Sequence, residues 1–210
     1  MRTLLFVLRE RGVVSIVRVP SHDPGYVKLL LDWGAQGIMF PFVHNADEAQ
    51  RAVRACRYPP DGIRGFNPRD PSSFFMDGGA YRASANEQIV TVLQVEHADS
   101  VANIDAIVRV PGIDSLLVGP ADLSYSLGIP LEFQHSALQE ALDVSIRAAR
   151  GAGIPIGIAW QDTTEGHLAS LKRGFSFIAS YCDYNFLAMG ATQWLHGMRE
   201  AQGAAGPGGG

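Results

Sequence analysis

Leu93-Gln94-Val95-Glu96 and Val118-Gly119-Pro120-Ala121-Asp122-Leu123-Ser124 carry the reading of this chain. Each belongs to an apolar run that reads as a buried strand, and each ends in a carboxylate where the run gives way to a loop. About one strand–helix–strand crossover separates the two ends, so a parallel α/β arrangement makes them neighbours at one edge of the sheet. Two acidic side chains on adjacent strand ends can hold a divalent metal and leave most of its coordination sphere open. The pattern points to an enzyme.

The bulk composition agrees with that class. The chain has 210 residues, 47% of them hydrophobic and 18% charged, which suits one α/β domain with a substantial core. A net charge of −4 with no Lys/Arg run offers no surface for nucleic acid. No apolar run reaches the ~18 residues of a membrane span. The opening segment has Arg9, Glu10 and Arg11 behind Leu4 to Leu8, so it reads as an amphipathic helix and not as a signal peptide. Cys56 and Cys182 are too few and too far apart for a disulfide framework and fit a reducing cytoplasm. Residues 1–202 read as the domain, and the Gly-rich tail 203–210 as disordered.

Outward from the two acidic runs, short apolar segments alternate with helical ones. Strands are expected at Val14 to Val19, Gly37 to Phe42, Ile89 to Glu96, Ser115 to Gly119, Ile154 to Ala159 and Phe175 to Ser180. Helices are expected at Arg2 to Arg11, Pro24 to Trp33 (closed by Gly34), Asn45 to Cys56, Gly78 to Asn86, Asp99 to Val108, Leu138 to Gly151, Thr164 to Arg173 and Asn185 to Ala201. Six strands that are apolar throughout, with helices between them, indicate a parallel sheet covered on both faces. Polar residues at the strand ends, Arg18, His44, Glu96 and Asp122, favour a (β/α) barrel.

The motifs in order resemble the HpcH/HpaI family of class II pyruvate aldolases. They are Gly34-Ala35-Gln36, Pro41-Phe42-Val43, Asn45-Ala46-Asp47-Glu48-Ala49, Arg57-Tyr58-Pro59-Pro60-Asp61-Gly62-Ile63-Arg64-Gly65, Ala85-Asn86-Glu87, Gln94-Val95-Glu96 and Gly119-Pro120-Ala121-Asp122-Leu123-Ser124. The resemblance runs from about Val14 to Met198. It implies a TIM-type barrel, incomplete here, with about strands three to eight. It also implies a lyase that cleaves a 4-hydroxy-2-oxo acid to pyruvate and an aldehyde through a metal-stabilised enolate, with Mg²⁺, Mn²⁺ or Co²⁺ as Lewis acid.

Position by position, the resemblance implies Glu96 and Asp122 as metal ligands, and Arg18 as the catalytic arginine that holds the substrate's 2-oxo oxygen. Gln94 matches a polar, substrate-binding residue beside the metal. Pro120 and Ala121, with Ser124 nearby, match the segment that receives the pyruvate carboxylate. Asp32 matches an acid presented to a neighbouring subunit's site, and the C-terminal helix matches a contact between copies, so a homo-oligomer is expected. The family's Asp–His acid/base pair follows a strand earlier than Val14 to Val19 and has no counterpart in these residues.

Three histidines that follow strand ends, His22, His44 and His97, are candidates to replace that base. Arg64 either binds substrate or ties down its own loop, and Trp160 either packs or lines the pocket mouth. Two rivals follow. A catalytically silent scaffold would keep the fold without the acid/base pair, retaining at most oxaloacetate decarboxylation. An acyl-CoA lyase on the same barrel would need a basic groove, and 17 dispersed Lys and Arg do not supply one.

Overall fold

Parallel pairing joins six strands in chain order, β1 (Ile16–Arg18), β2 (Gly37–Phe40), β3 (Val90–Val95), β4 (Ser115–Val118), β5 (Ile156–Ala159) and β6 (Phe177–Ala179). The computed structural model describes residues 1–68, 70–71, 76, 78–159 and 163–204. Helices α1 (Arg2–Glu10), α2 (Pro24–Asp32), α3 (Ala46–Cys56), α4 (Gly78–Gln88), α5 (Ala98–Ala102), α6 (Ile104–Ile107), α7 (Pro120–Ser126), α8 (Ser136–Gly151), α9 (Thr164–Arg173) and α10 (Asp183–Ala204) fall before, between and after them. The order of β-α units and the unbroken parallel order make this an incomplete TIM-type barrel, as the strand–helix alternation predicts. Among the described residues no helix is long and apolar enough to cross a membrane.

Local chemistry accounts for where the helices begin and end. Asp23 caps α2 by accepting from the Gly25 N–H, and Pro24 at the first helical position needs no such partner. Gly34 follows the helix at φ 92°, a backbone conformation that side chains disfavour. Asn45 caps α3 through the Glu48 N–H, with Asp47 and Glu48 in the first turn.

Strand ends shift by one or two residues, and three segments differ more substantially from expectation. The helix foreseen over Asp99 to Val108 breaks at Asn103, whose side-chain amide donates to the carbonyls of Asp99 and His44 and so ties it to the loop after β2. The segment after β4 is a helix and not a loop, because Pro120 with its fixed φ sits at the first helical position. The last helix includes Gly203 and Ala204, and residues 205–210 of the expected tail lie outside the described residues, as does Trp160.

The two faces of the sheet do different work. Val17, Ile38, Phe40, Leu93, Val95, Leu116, Val118, Ile156 and Ile158 join Val27, Leu30, Leu31, Ala49, Ala52, Leu138 and Leu142 of the helices in one core. Alternation then sends the intervening residues to the other face, away from the helix layer. That face carries the candidate site. The strand edges of β1 and β6 have no partner strand among the described residues. Apolar side chains of and just before β1 are exposed, including Val14 at 62% and Ile16 at 45%.

Candidate active site

The register brings the foreseen residues together. Arg18 pairs with Met39 and Met39 with Val92, so all three project from one face of the sheet. Gln94 and Glu96 follow Val92 at steps of two and share that face. A hydrogen bond of 2.9 Å from Gln94 Nε2 to Glu96 Oε2 agrees with this placement. Asp122 stands in the first turn of α7, one strand over, and is exposed, as is Arg18.

Glu96 is the centre of the arrangement. It is only 1% exposed, and each of its oxygens accepts one hydrogen bond, Oε2 from Gln94 and Oε1 from the Phe42 N–H at 2.9 Å. Burial raises its carboxyl pKa above the ordinary value of 4.5. The Phe42 N–H and the Arg18 charge act in the opposite direction, and the Asp122 charge adds to the rise. A buried carboxylate facing a second carboxylate has an unmet need for positive charge.

Gly119 makes room for it. A Cβ at that position would stand 2.7 Å from Glu96 Oε2 and 3.0 Å from its Cβ. Gly119→Ala is therefore expected to displace the carboxylate from its two donors and to weaken Mn²⁺ binding by about tenfold or more. Titration of the folded variant with Mn²⁺ checks this; unchanged affinity would show that the contact is absorbed elsewhere.

The donor set fits a hard divalent cation. Two carboxylates converge at one strand edge, and oxygen ligands of this kind, completed by water and substrate, suit Mg²⁺ or Mn²⁺. Among the described residues no third His, Cys, Asp or Glu joins them. Gln94 Oε1 is buried without a hydrogen-bond partner, which leaves an acceptor for a ligand's or a bound water's proton.

Other foreseen residues serve the fold. Ser124 is fully buried; its hydroxyl donates to the Ala121 carbonyl at 2.6 Å and accepts from the Leu131 N–H at 2.8 Å. It braces the backbone of α7 and does not itself reach the open face. His97 caps α5 by accepting from the Asp99 N–H at 3.1 Å. His44 Nδ1 lies 3.6 Å from Glu48, and its ring meets that of His97. His22 Nε2 lies 2.5 Å from the Pro41 carbonyl oxygen.

Arg64 is given to its loop. Its buried guanidinium donates to Asp32 at 2.9 Å and lies 4.4 Å from the Tyr58 ring centroid. Asp32, which the resemblance matches to an acid presented to a neighbouring subunit's site, is buried between Arg64 and Lys28 of its own chain. A cleft of about 660 Å³ between α8, α9 and the end of β6 lies apart from Glu96, although Pro120 touches it. The cleft's cation, Arg173, is already engaged by Asp143 and Gln139, so the chemistry favours the carboxylate site.

Nothing in the sequence marks Phe42 as a site residue. Its contribution is a backbone N–H, which every residue but proline carries, so residue identity held no signal for it.

Comparison with known proteins agrees with the geometry. The family model described as HpcH/HpaI aldolase/citrate lyase matches residues 3–187. The chain is 40% identical over 180 residues to a 4-hydroxy-2-oxovalerate aldolase from Rhodococcus jostii, covering 85% of this chain and 68% of that one. It is 35% identical over 199 residues to a 2-dehydro-3,6-dideoxy-6-sulfogluconate aldolase from Pseudomonas putida, covering 95% of this chain and 78% of the relative. The crystal structure of a HpcH/HpaI aldolase/citrate lyase family protein from Burkholderia cenocepacia superposes with a TM-score of 0.88 at 33% identity. That match covers 94% of this chain and 79% of the other.

Proposed function

The chain belongs to the HpcH/HpaI aldolase/citrate lyase family, and from that premise we propose that it is a divalent-metal-dependent carbon–carbon lyase. Its substrate is a 4-hydroxy-2-oxo acid, cleaved to pyruvate and an aldehyde. The observation that carries this reading is Glu96, buried and held by two donors on the face it shares with Arg18 and beside the charge of Asp122. Glu96 and Asp122 would hold a divalent cation, which would supply Lewis-acid chemistry to the 2-oxo acid. Arg18 sets a fixed positive charge where negative charge grows on the 2-oxo oxygen as the C3–C4 bond breaks. The backbone at Pro120 and Ala121, braced by Ser124, receives the carboxylate. Gln94 orients Glu96 with its amide N–H and keeps its carbonyl oxygen for ligand or water.

Cleavage also needs a base for the C4 hydroxyl proton. Among the described residues His22 and His97 have a ring nitrogen committed to backbone, and none of the three candidate histidines is hydrogen-bonded to Glu96. Oxaloacetate decarboxylation requires no such base. The chain is therefore expected to decarboxylate oxaloacetate with Mn²⁺ faster than free Mn²⁺ does, and to release pyruvate from 4-hydroxy-2-oxo acids less readily. Pyruvate assays with Mn²⁺, Mg²⁺ and EDTA test this. Rates equal to free metal in a folded chain would overturn it in favour of a catalytically silent homologue. The same reading places the enzyme in the cytoplasm as a homo-oligomer, with the exposed Leu187 and Trp194 of α10 in the contact; a monomer by light scattering would count against the latter.

A further inference from the structure

Pro41 and Phe42 share one peptide unit, and both of its polar ends are engaged by residues distant in sequence. Its N–H donates to Glu96 Oε1 at 2.9 Å, while its carbonyl oxygen lies 2.5 Å from His22 Nε2. A carbonyl has no proton to give, so His22 is the donor and carries hydrogen on Nε2. The unit is held in an unusual state, with Phe42 at φ 49°, in the left-handed region that a bulky side chain disfavours. Burial of the ring does not explain this, because Phe42 is 47% exposed. Both polar ends of the peptide unit on which that φ turns are held by hydrogen bonds. The His22 ring is itself fixed, meeting the Phe40 ring edge-on with centroids 5.7 Å apart.

We infer that His22 is a positioning residue for Glu96, acting through the Pro41–Phe42 peptide and not as a proton carrier. Donation to the carbonyl fixes the peptide plane and polarises its N–H, which in turn holds Oε1 while Gln94 holds Oε2. The carboxylate is thereby locked from the loop after β2 and from β3, and its orientation toward a cation is set before one arrives. This rests on the metal-binding reading of Glu96.

The test compares the 210-residue chain with His22→Leu, His22→Gln and Glu96→Gln. Two quantities are read, the Mn²⁺ dissociation constant and hydrogen exchange at the Phe42 amide. His22→Leu is expected to weaken Mn²⁺ binding by about tenfold and to speed Phe42 exchange. His22→Gln, whose amide nitrogen reaches nearly as far as Nε2, should restore most of both. Should His22→Leu not fold, His22→Asn, too short to reach the carbonyl, takes its place. Loss of thermal stability with both readouts unchanged would overturn the inference and leave His22 as packing. If wild type and Glu96→Gln bind Mn²⁺ equally, the metal reading falls on its own. Phe42 exchange then still decides the relay: fast in His22→Leu and slow in wild type and His22→Gln supports it, and equal rates end it.

Discussion

Glu96→Gln is expected to bring metal-dependent oxaloacetate decarboxylation down to the rate of free Mn²⁺. The substitution preserves shape, and its carbonyl oxygen can still accept from the Phe42 N–H, but it removes the charge that a divalent cation requires. Losing a direct ligand should exceed the roughly 10–100-fold that loss of an outer partner costs in metal affinity. The metal-free protein should respond in the opposite sense. Burial holds the Glu96 carboxyl above its ordinary value, so the folded state binds a proton more tightly than the unfolded chain does. The resulting stability is fully present below pH 4.5 and is lost as pH rises through the raised value. A neutral amide has no such penalty, and metal-free Glu96→Gln should melt higher than wild type at neutral pH, with the difference vanishing in acid. Thermal melts at several pH values check the sign. A variant both inactive and less stable would mean that Glu96 is held for structure and not for a cation.

Asp32→Asn is expected to produce the largest loss of stability, about 3–5 kcal/mol, as for other buried pairs that lose one partner. The Arg64 side chain is wholly buried, with Nη2 on Asp32 at 2.9 Å, Nη1 on the Tyr81 hydroxyl at 3.2 Å and Nε without a partner. Removing the carboxylate charge strands that guanidinium in the interior. Lys28, the other partner of Asp32, is nearer solvent and can rehydrate. Denaturant unfolding measures the effect, and Asp32→Asn combined with Arg64→Met should recover part of it. A loss below about 1 kcal/mol, the range of a surface pair, would show that water reaches Arg64.

How much of this was legible in the sequence depends on the range of the interaction. Strand–helix alternation is written in neighbouring residues, so the six strands, their parallel order and the barrel class followed from it. Glu96 and Asp122 stood out because a carboxylate ending an apolar run is a local anomaly. Boundaries were less legible. The break at Asn103 needs a hydrogen bond to His44, 59 residues away, and no window around Asn103 contains it.

The roles of individual side chains divided along the same line. By itself the sequence determined the fold class, the family resemblance and the residue types able to hold a cation, because period, composition and motif order are properties of the chain read in one direction. Tertiary structure alone decided that Asp32 turns inward to Arg64, that Ser124 braces α7, and that His22 meets Glu96 through a peptide of β2's exit loop. Those outcomes depend on which strands become neighbours and on where backbone donors point. Distances of 2.5 to 3.2 Å between residues far apart in sequence exist only once the chain has folded.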